Sequence, residues 1–352
     1  MTPSRRSFVI GILNYNTKEL LLQNIGKCLD SGIPPEQLLV LDNNSSDNSV
    51  QAVNQHYPNI RVVVSSQNLG YAGGMNRIVG ISESDLAILV TADCFITRDT
   101  VDRLLSVLET GGKIMVVGCR VIDLRSGRIQ SEGADITYPL GIPLSRNWQK
   151  GGDTPPSESI SDVPYVGGSA MLVDVEKFRE IGGFDESYFA YHEEVDLCWR
   201  ARLRGYRVVC QGSAVASHVT YGSFGGLLGM RWSLTESNRI ATNIKNLGVF
   251  HLFVALLYEA VYMLAVTVGS TMFRMPVYRT AYYRGLIFLF QRGRHLWAER
   301  KKTQGTRGRS DEEVLALHPR MGLLALIPPL SERLAILRSH DASGAATQER
   351  AY

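Results

Sequence analysis

Short apolar runs alternate with helix-like stretches through the first 120 residues, and this alternation constrains the fold more than any other feature of the chain. Phe8–Leu13, Leu38–Leu41, Arg61–Ser65, Leu86–Val90 and Met115–Val121 read as short buried strands. Lys18–Ser31, Asp47–Tyr57, Gly74–Ile81 and Asp99–Thr110 read as the helices between them. Strands alternating with helices predict an α/β domain with a mostly parallel central sheet and helices on both faces. Ligands of such sheets bind beyond the carboxyl ends of the strands, so the residues after each strand are the candidate site.

Further along, residues 123–163 are rich in Gly, Ser and Asp, with Pro139, Pro143, Pro155 and Pro156 as breakers. They read as a loop-rich excursion, a mobile flap. Val166–Val173 predicts a strand, Val175–Ile181 a helix, Glu193–Arg204 an amphipathic helix and Tyr206–Cys210 a further strand. The pattern changes near Asn246, so residues 1–245 are expected to form the main domain and 246–352 a helical, basic extension. Between Lys245 and Arg274 the only formal charge is Glu259. That stretch is long enough for a membrane span, for an interfacial helix, or for a helix pair buried in the chain or under a partner. Between Arg274 and Arg309 ten Lys or Arg stand against one acid, Glu299, which gives +9. With a net charge of +3 overall, the remainder is about −6 (3 minus 9). A basic tail on an acidic body suits a membrane face and not a nucleic-acid surface.

Several functions are excluded. The first strand leads into Asn14-Tyr15-Asn16-Thr17 without a G-x-G-x-x-G, and no G-K-[ST] occurs, so dinucleotide and P-loop chemistry lose their motifs. Five cysteines (28, 94, 119, 198 and 210) are odd in number, far apart and without a C-x-x-C, which favours a reducing compartment. Arg5-Arg6 resembles an export signal, but the apolar run behind it, Phe8–Leu13, is too short for a signal h-region, and a first strand of a cytoplasmic domain is expected instead.

The strand ends carry polar clusters. Leu41-Asp42-Asn43-Asn44-Ser45-Ser46-Asp47 follows the second strand, where an acid accepts from a base N–H or a ribose hydroxyl, or builds a turn that caps the next helix. Asn68-Leu69-Gly70-Tyr71-Ala72-Gly73-Gly74-Met75-Asn76 follows the third, with glycines that let backbone approach a ligand and a helix start that favours phosphate. Thr91-Ala92-Asp93 follows the fourth, and its Asp is a candidate ligand for Mg²⁺ or Mn²⁺. His192-Glu193-Glu194-Val195-Asp196 opens the later helix, and crowded carboxylates raise one another's pKa toward that of a general base. His218, with Gly222-Ser223 beyond it, is a metal ligand only where the fold carries it to Asp93.

These motifs, in this order, resemble the family-2 glycosyltransferases of the GT-A (Rossmann-like) fold, especially their rhamnosyltransferase-like branch, over roughly residues 7–245. The resemblance implies an inverting, metal-dependent transfer from a nucleoside-diphosphate sugar, dTDP-rhamnose or a UDP-sugar, to an acceptor hydroxyl. It implies donor contacts from Asn14, Tyr15, Asn16, Asp42, Asn68, Gly74 and Asn76. Asp93 and His218 would hold Mg²⁺ or Mn²⁺. Glu194 falls on the catalytic base, with Glu193, Asp196 and Trp199 as acceptor contacts or a second shell. The implied partners are the sugar nucleotide, a saccharide or lipid-linked acceptor of a cell-surface polysaccharide or glycolipid, and a membrane surface at the cytoplasmic side. Thr91 and Ala92 stand where many relatives carry acids, which gives a second expectation: a non-catalytic subunit that binds sugar nucleotides.

Overall fold

The aliphatic runs form the expected strands; those in the middle of the sheet are buried on both faces and read as continuous apolar segments, while the edge strand Arg61–Val64 is partly exposed. The computed structural model describes residues 6–156, 160–219, 228–274 and 276–319. Its first elements are β1 (Phe8–Asn14), α1 (Lys18–Asp30), β2 (Leu38–Asp42), α2 (Ser49–His56), β3 (Arg61–Val64), α3 (Gly70–Ile81) and β4 (Leu86–Thr91). After these come β5 (Cys94–Phe95), α4 (Arg98–Glu109) and β6 (Ile114–Asp123). Strands β3, β2, β1 and β4 lie side by side in that order, all parallel. Every residue of β2 is buried. Each fully buried Val, Leu or Ile contributes about 1.5–3 kcal/mol, so the sheet is the main source of stability in this part of the chain. Helix α4 starts with a reciprocal capping box between Thr97 and Thr100.

Residues 123–163 depart from the expected flap. They contain β7 (Ile129–Glu132), β8 (Ala134–Ile136), β9 (Pro143–Ser145) and β10 (Ile160–Asp162). Ile129, Ala134 and Ile136 are buried, and Arg120 pairs with Glu132 at 2.6 Å inside the protein. Strands of three or four residues are too short to show an alternating pattern, and the prolines stand at their margins.

The remaining elements of the sheet region are β11 (Ala170–Asp174), α5 (Val175–Glu180), α6 (Glu193–Leu203) and β12 (Arg207–His218). β11 runs antiparallel between β4 and β6, and β12 is parallel to β6, so the sheet is mixed, with helices on both faces. β12 continues past the expected end at Cys210 through a register shift between Gln211 and Val215. That extension carries the chain to His218.

The described residues fall into two compact units: those within 1–135, 143–223 and 305–317 form one, and those within 136–142, 224–304 and 318–352 the other. The second contains α7 (Leu228–Asn246), α8 (Val249–Met272), α9 (Pro276–Gln291) and most of α10 (Gly293–Thr306); α11 (Asp311–Leu315) belongs to the first. Leu140, Ile142, Tyr262, Val266, Tyr278 and Tyr282 make the core of the second unit. Glu259, the lone acid of the apolar stretch, accepts from both terminal nitrogens of Arg239 at 2.7 and 2.8 Å, and Arg239 Nε donates to Glu236 at 3.0 Å. Among the described residues α8 alone is long and apolar enough to cross a membrane, and only 17% of its most apolar window is buried. Residues 320–352, together with Arg5, Gly222 and Ser223, lie outside the described residues.

Candidate active site

The parallel pairing of β1 with β2 places Asn14 directly opposite Asp42 at the carboxyl ends of both strands. Asn14 Nδ2 donates to Asp42 Oδ1 at 2.9 Å and to Ser45 Oγ at 3.1 Å, while its Oδ1 accepts from the Thr17 hydroxyl at 2.8 Å. Asp42 Oδ2 accepts the Ser45 amide at 2.9 Å. Both side chains are buried, so Asn14 orients Asp42 and the pair shapes the loop after β2. Asn16 sits at φ 52° and accepts the Ser46 amide at 2.7 Å. Tyr15 is 38% exposed beside them and offers an aromatic face. A cleft of about 500 Å³ adjoins this loop, lined by Ser45, Ser46, Asn48, Ser49 and Gln51. Asp47 accepts the Lys18 amide at 2.8 Å and the Ser49 amide at 3.1 Å, so it caps both α1 and α2.

The glycine-rich loop is organised by a residue that sequence reasoning did not single out. Asn43 donates to Asn68 Oδ1 at 2.9 Å and to the Gly70 carbonyl at 3.0 Å, and accepts the Leu69 amide at 2.9 Å. The signal was present, because Asn43 lies within the quoted cluster between Asp42 and Ser45. The start of α3 differs from the phosphate site expected there. The Phe189 carbonyl accepts the Tyr71 and Ala72 amides at 2.6 and 3.2 Å, so a protein oxygen already occupies these helix-terminal donors. This contact also explains why α3 begins at Gly70 and not at Gly74. A Cβ on Gly74 would come within 2.5 Å of Leu13 Cδ1, so that glycine lets α3 settle onto β1. Asn76 donates to the Phe184 carbonyl at 2.9 Å and to Glu186 at 3.0 Å, and accepts the Phe184 amide at 2.9 Å. It ties α3 to the segment that leads into the acids.

Asp93 and His218, far apart in sequence, are brought together because β5 pairs antiparallel with β12 and sets His218 opposite Cys94. His218 Nε2 lies 3.4 Å from Asp93 Oδ1, and its Nδ1 is 2.9 Å from Gln130 Oε1 on β7. Gln130 therefore fixes the imidazole orientation; it lies in the region read as loop, where nothing in the sequence marked it. Thr91 Oγ1, at the end of β4, is buried without a hydrogen-bond partner. One carboxylate oxygen and one imidazole nitrogen suit Mn²⁺ or Mg²⁺, with the remaining positions left to phosphate oxygens and water. Among the described residues no group of three or more His, Cys, Asp or Glu is arranged to hold a metal ion.

The acids stand at the start of α6, after a strained loop. Phe189, Tyr191 and His192 have φ of 60°, 68° and 74°, and each such non-glycine residue costs about 1–3 kcal/mol. Glu193 Oε2 and Glu194 Oε2 are both buried without a hydrogen-bond partner. Burial pushes the Glu194 carboxyl up to about 7. Burial, and then the charge of Glu194, hold Glu193 well above the usual carboxylate range. Tyr71, whose hydroxyl donates to the Gly168 carbonyl at 2.6 Å, and Tyr165 both feel these charges. Asp196 and Trp199 are buried at 0% and 2% exposure. Asp196 pairs with Arg200 at 2.8 Å, and Arg200 donates to the Ile181 and Gly183 carbonyls at 2.9 and 2.6 Å. Arg200 was not foreseen; its place on α6 one turn after Asp196 was the available sign.

The sequence profile described as Glycosyl transferase family 2 matches residues 9–181. The chain carries a glycosyl transferase family 2 domain. The matched span runs from β1 through α5, and Glu193, Glu194 and His218 fall beyond it. An N-acetylglucosaminyl-diphospho-decaprenol L-rhamnosyltransferase of Mycobacterium tuberculosis is 29% identical over 207 residues, 52% of this chain and 66% of that protein. The match thus spans a little under two thirds of that relative. The family 2 domain shares its GT-A-like fold with two solved structures, each 15% identical. A mannosyltransferase from Pyrobaculum calidifontis in complex with GDP-Man and Mn²⁺ superposes with a TM-score of 0.51 over 84% of this chain and 88% of that one. TarS 1-349 of S. aureus in complex with UDP-GlcNAc does so with 0.52 over 86% and 93%.

Proposed function

We propose that the protein is an inverting glycosyltransferase that moves a sugar from a nucleoside-diphosphate sugar to an acceptor hydroxyl of a cell-envelope polysaccharide or glycolipid, at the cytoplasmic membrane face. Glu194 carries the reading: a carboxyl group tuned to about 7 by burial, with one oxygen, Oε2, buried without a hydrogen-bond partner, within a glycosyltransferase fold. A base of that strength is ionised near neutrality and accepts the proton of the attacking hydroxyl. Burial and the charge of Glu194 hold Glu193 well above the usual carboxylate range, which disfavours a second negative charge beside the base. One ionised acid supplies a base and no nucleophile, which favours a single displacement with inversion.

The strand-end cluster of Asp42 and Tyr15 would receive the nucleoside, beside the cleft lined by Ser45, Ser46 and Asn48. Asp93 and His218 would hold a divalent cation, which supplies charge neutralisation for the departing diphosphate. The name of the mycobacterial relative favours a rhamnosyl donor, for which the family resemblance suggests dTDP-rhamnose, and a polyprenyl-diphosphate-linked saccharide as acceptor; the ligand of TarS keeps UDP-sugars in view.

The test is release of nucleoside diphosphate across a panel of sugar nucleotides with Mg²⁺ or Mn²⁺. Turnover with one donor is expected, abolished by chelator and lowered about 10²-fold or more by Asp93→Asn. Calorimetric binding of a donor without turnover on any acceptor extract would replace the enzyme reading with a sugar-nucleotide-binding subunit.

A further inference from the structure

The second unit presents an apolar surface with a basic border, and neither belongs to the transfer site. On α8, Phe250, Phe253, Leu257, Leu264 and Met272 are 71, 60, 54, 63 and 71% exposed. On α9, Ile287 and Phe290 are 58 and 83% exposed. An apolar patch of this extent marks an interaction surface. The opposite side of α8 is different: Ala255, Tyr262, Val266 and Ser270 are buried, and Glu259 is gripped there by Arg239 of α7. Arg274, Arg284, Arg294 and Lys301 are exposed along the following segments, and Tyr283 and Trp297 are exposed with them. Arginine, lysine, tyrosine and tryptophan beside aliphatic side chains match the headgroup level of an anionic bilayer.

We infer that α8 and α9 lie in the plane of an anionic membrane surface, with the Phe253–Leu257–Leu264 face in the acyl boundary and the basic border among the phosphates. This rests on the membrane-facing part of the function proposed above and goes beyond it by naming the surface and the mode. An in-plane mode follows from the bidentate Arg239–Glu259 pair. That pair holds one side of α8 on α7, a helix bearing Arg231, Glu236, Arg239 and Lys245, whose charges would be costly to carry into the bilayer core beside a spanning α8. Charge complementarity selects lipid over a second copy of the chain, because two such basic borders would repel.

The experiment is sedimentation of the full-length protein with vesicles of phosphatidylcholine alone or mixed equally with phosphatidylglycerol. Binding is expected to the anionic vesicles, to weaken in high salt and to be reversed by alkaline carbonate. Leu257→Asp with Leu264→Asp should lower partitioning at least about tenfold. Arg284→Glu with Arg294→Glu should remove the preference for anionic lipid. Brominated acyl chains near the headgroup should quench tryptophan emission in the parent and less in Trp297→Phe. Equal binding by the Asp variant with a native circular dichroism spectrum overturns the inference, as does resistance of the parent to carbonate. A protein that ignores vesicles but dimerises through this face, and is monomeric as the Asp variant, overturns it in favour of self-association. Nucleotide release measured without vesicles reports separately on the transfer reaction, so the two readings fail independently.

Discussion

At the scale of single residues, the site stores unfavourable energy where chemistry needs it. Glu194 is an acid whose charge is poorly tolerated in the fold, and the left-handed Phe189, Tyr191 and His192 deliver it to that place. Function and stability are therefore expected to separate at this position. Glu194→Gln keeps the shape and removes the charge, so nucleotide release should fall about 10²-fold or more. In the parent, kcat/KM should rise with pH through a single ionisation near 7, since only the deprotonated carboxylate accepts a proton. Stability should move the opposite way. A folded-state pKa raised from 4.5 to about 7 means that the native protein binds more protons than the unfolded chain between these values, so this group costs stability as pH rises through that window. Above it, Glu194→Gln should be more stable than the parent by about 1–3 kcal/mol, and near pH 4 the difference should vanish. Urea denaturation at the two pH values measures this directly. Unchanged turnover in Glu194→Gln would remove Glu194 as the base.

Elements were legible in the sequence where one physical signal dominated. The five apolar runs of the first 120 residues became β1 to β4 and β6 with ends shifted by one or two residues, because short aliphatic runs bounded by turn residues announce strands by composition, whether buried like β2 or at the edge like β3. The helices between them held equally well, apart from α3. There Gly70, Gly73 and Gly74 argue against helix, and a carbonyl from Phe189, distant in sequence, overrides that propensity. Short strands in 123–163 and the antiparallel course of β11 were not legible, since both depend on pairing partners that a single sequence does not name. The site divides in the same way. Residue types at strand ends singled out Asp42 and Asp93 as candidates, and acids crowded at a helix start singled out Glu194, whereas the supporting contacts of Asn43, Gln130 and Arg200 exist only after folding. The glycines show most clearly how a correct motif can carry an incomplete reason. Gly70, Gly73 and Gly74 were read as room for a ligand, yet Gly74 faces Leu13; on the other side of that contact a Cβ on Gly11 of β1 would come within 2.2 Å of Ile78 Cγ2. Gly74→Ala should therefore destabilise by about 1–3 kcal/mol through overpacking. Leu13→Ala alone should cost about 2–5 kcal/mol as a cavity, and the double variant should cost clearly less than the sum. Strict additivity in that thermal-denaturation cycle would show that α3 and β1 do not meet there.

At the scale of the whole molecule, the charge asymmetry seen in the sequence has a counterpart inside the second unit. Its helices are pinned by charge as well as by a small aromatic core: Arg239 and Glu236 are fully buried, and Glu259 completes the group. Arg300 of α10 donates to the Leu247 carbonyl at 2.7 Å, and Gln304 to the Lys245 and Asn246 carbonyls at 3.0 Å each, so α10 satisfies acceptors that the end of α7 leaves open. An apolar core of equal volume could be as stable, but it would not fix which helix faces meet. With Glu259 anchored, the apolar side of α8 is left outward as a matter of register. Arg239→Met should destabilise by about 3–5 kcal/mol, because it strands two carboxylates away from water. Adding Glu236→Gln and Glu259→Gln should recover most of that loss, since no charge is then left without a counterion. The single variant should also regain stability as pH falls toward 5, because carboxylates buried without a cation take up protons at raised pKa, and the triple variant should not. Denaturation of the three proteins across that pH range decides the matter. A single variant no less stable than the parent would show that the register of α8 is set by the apolar contacts alone.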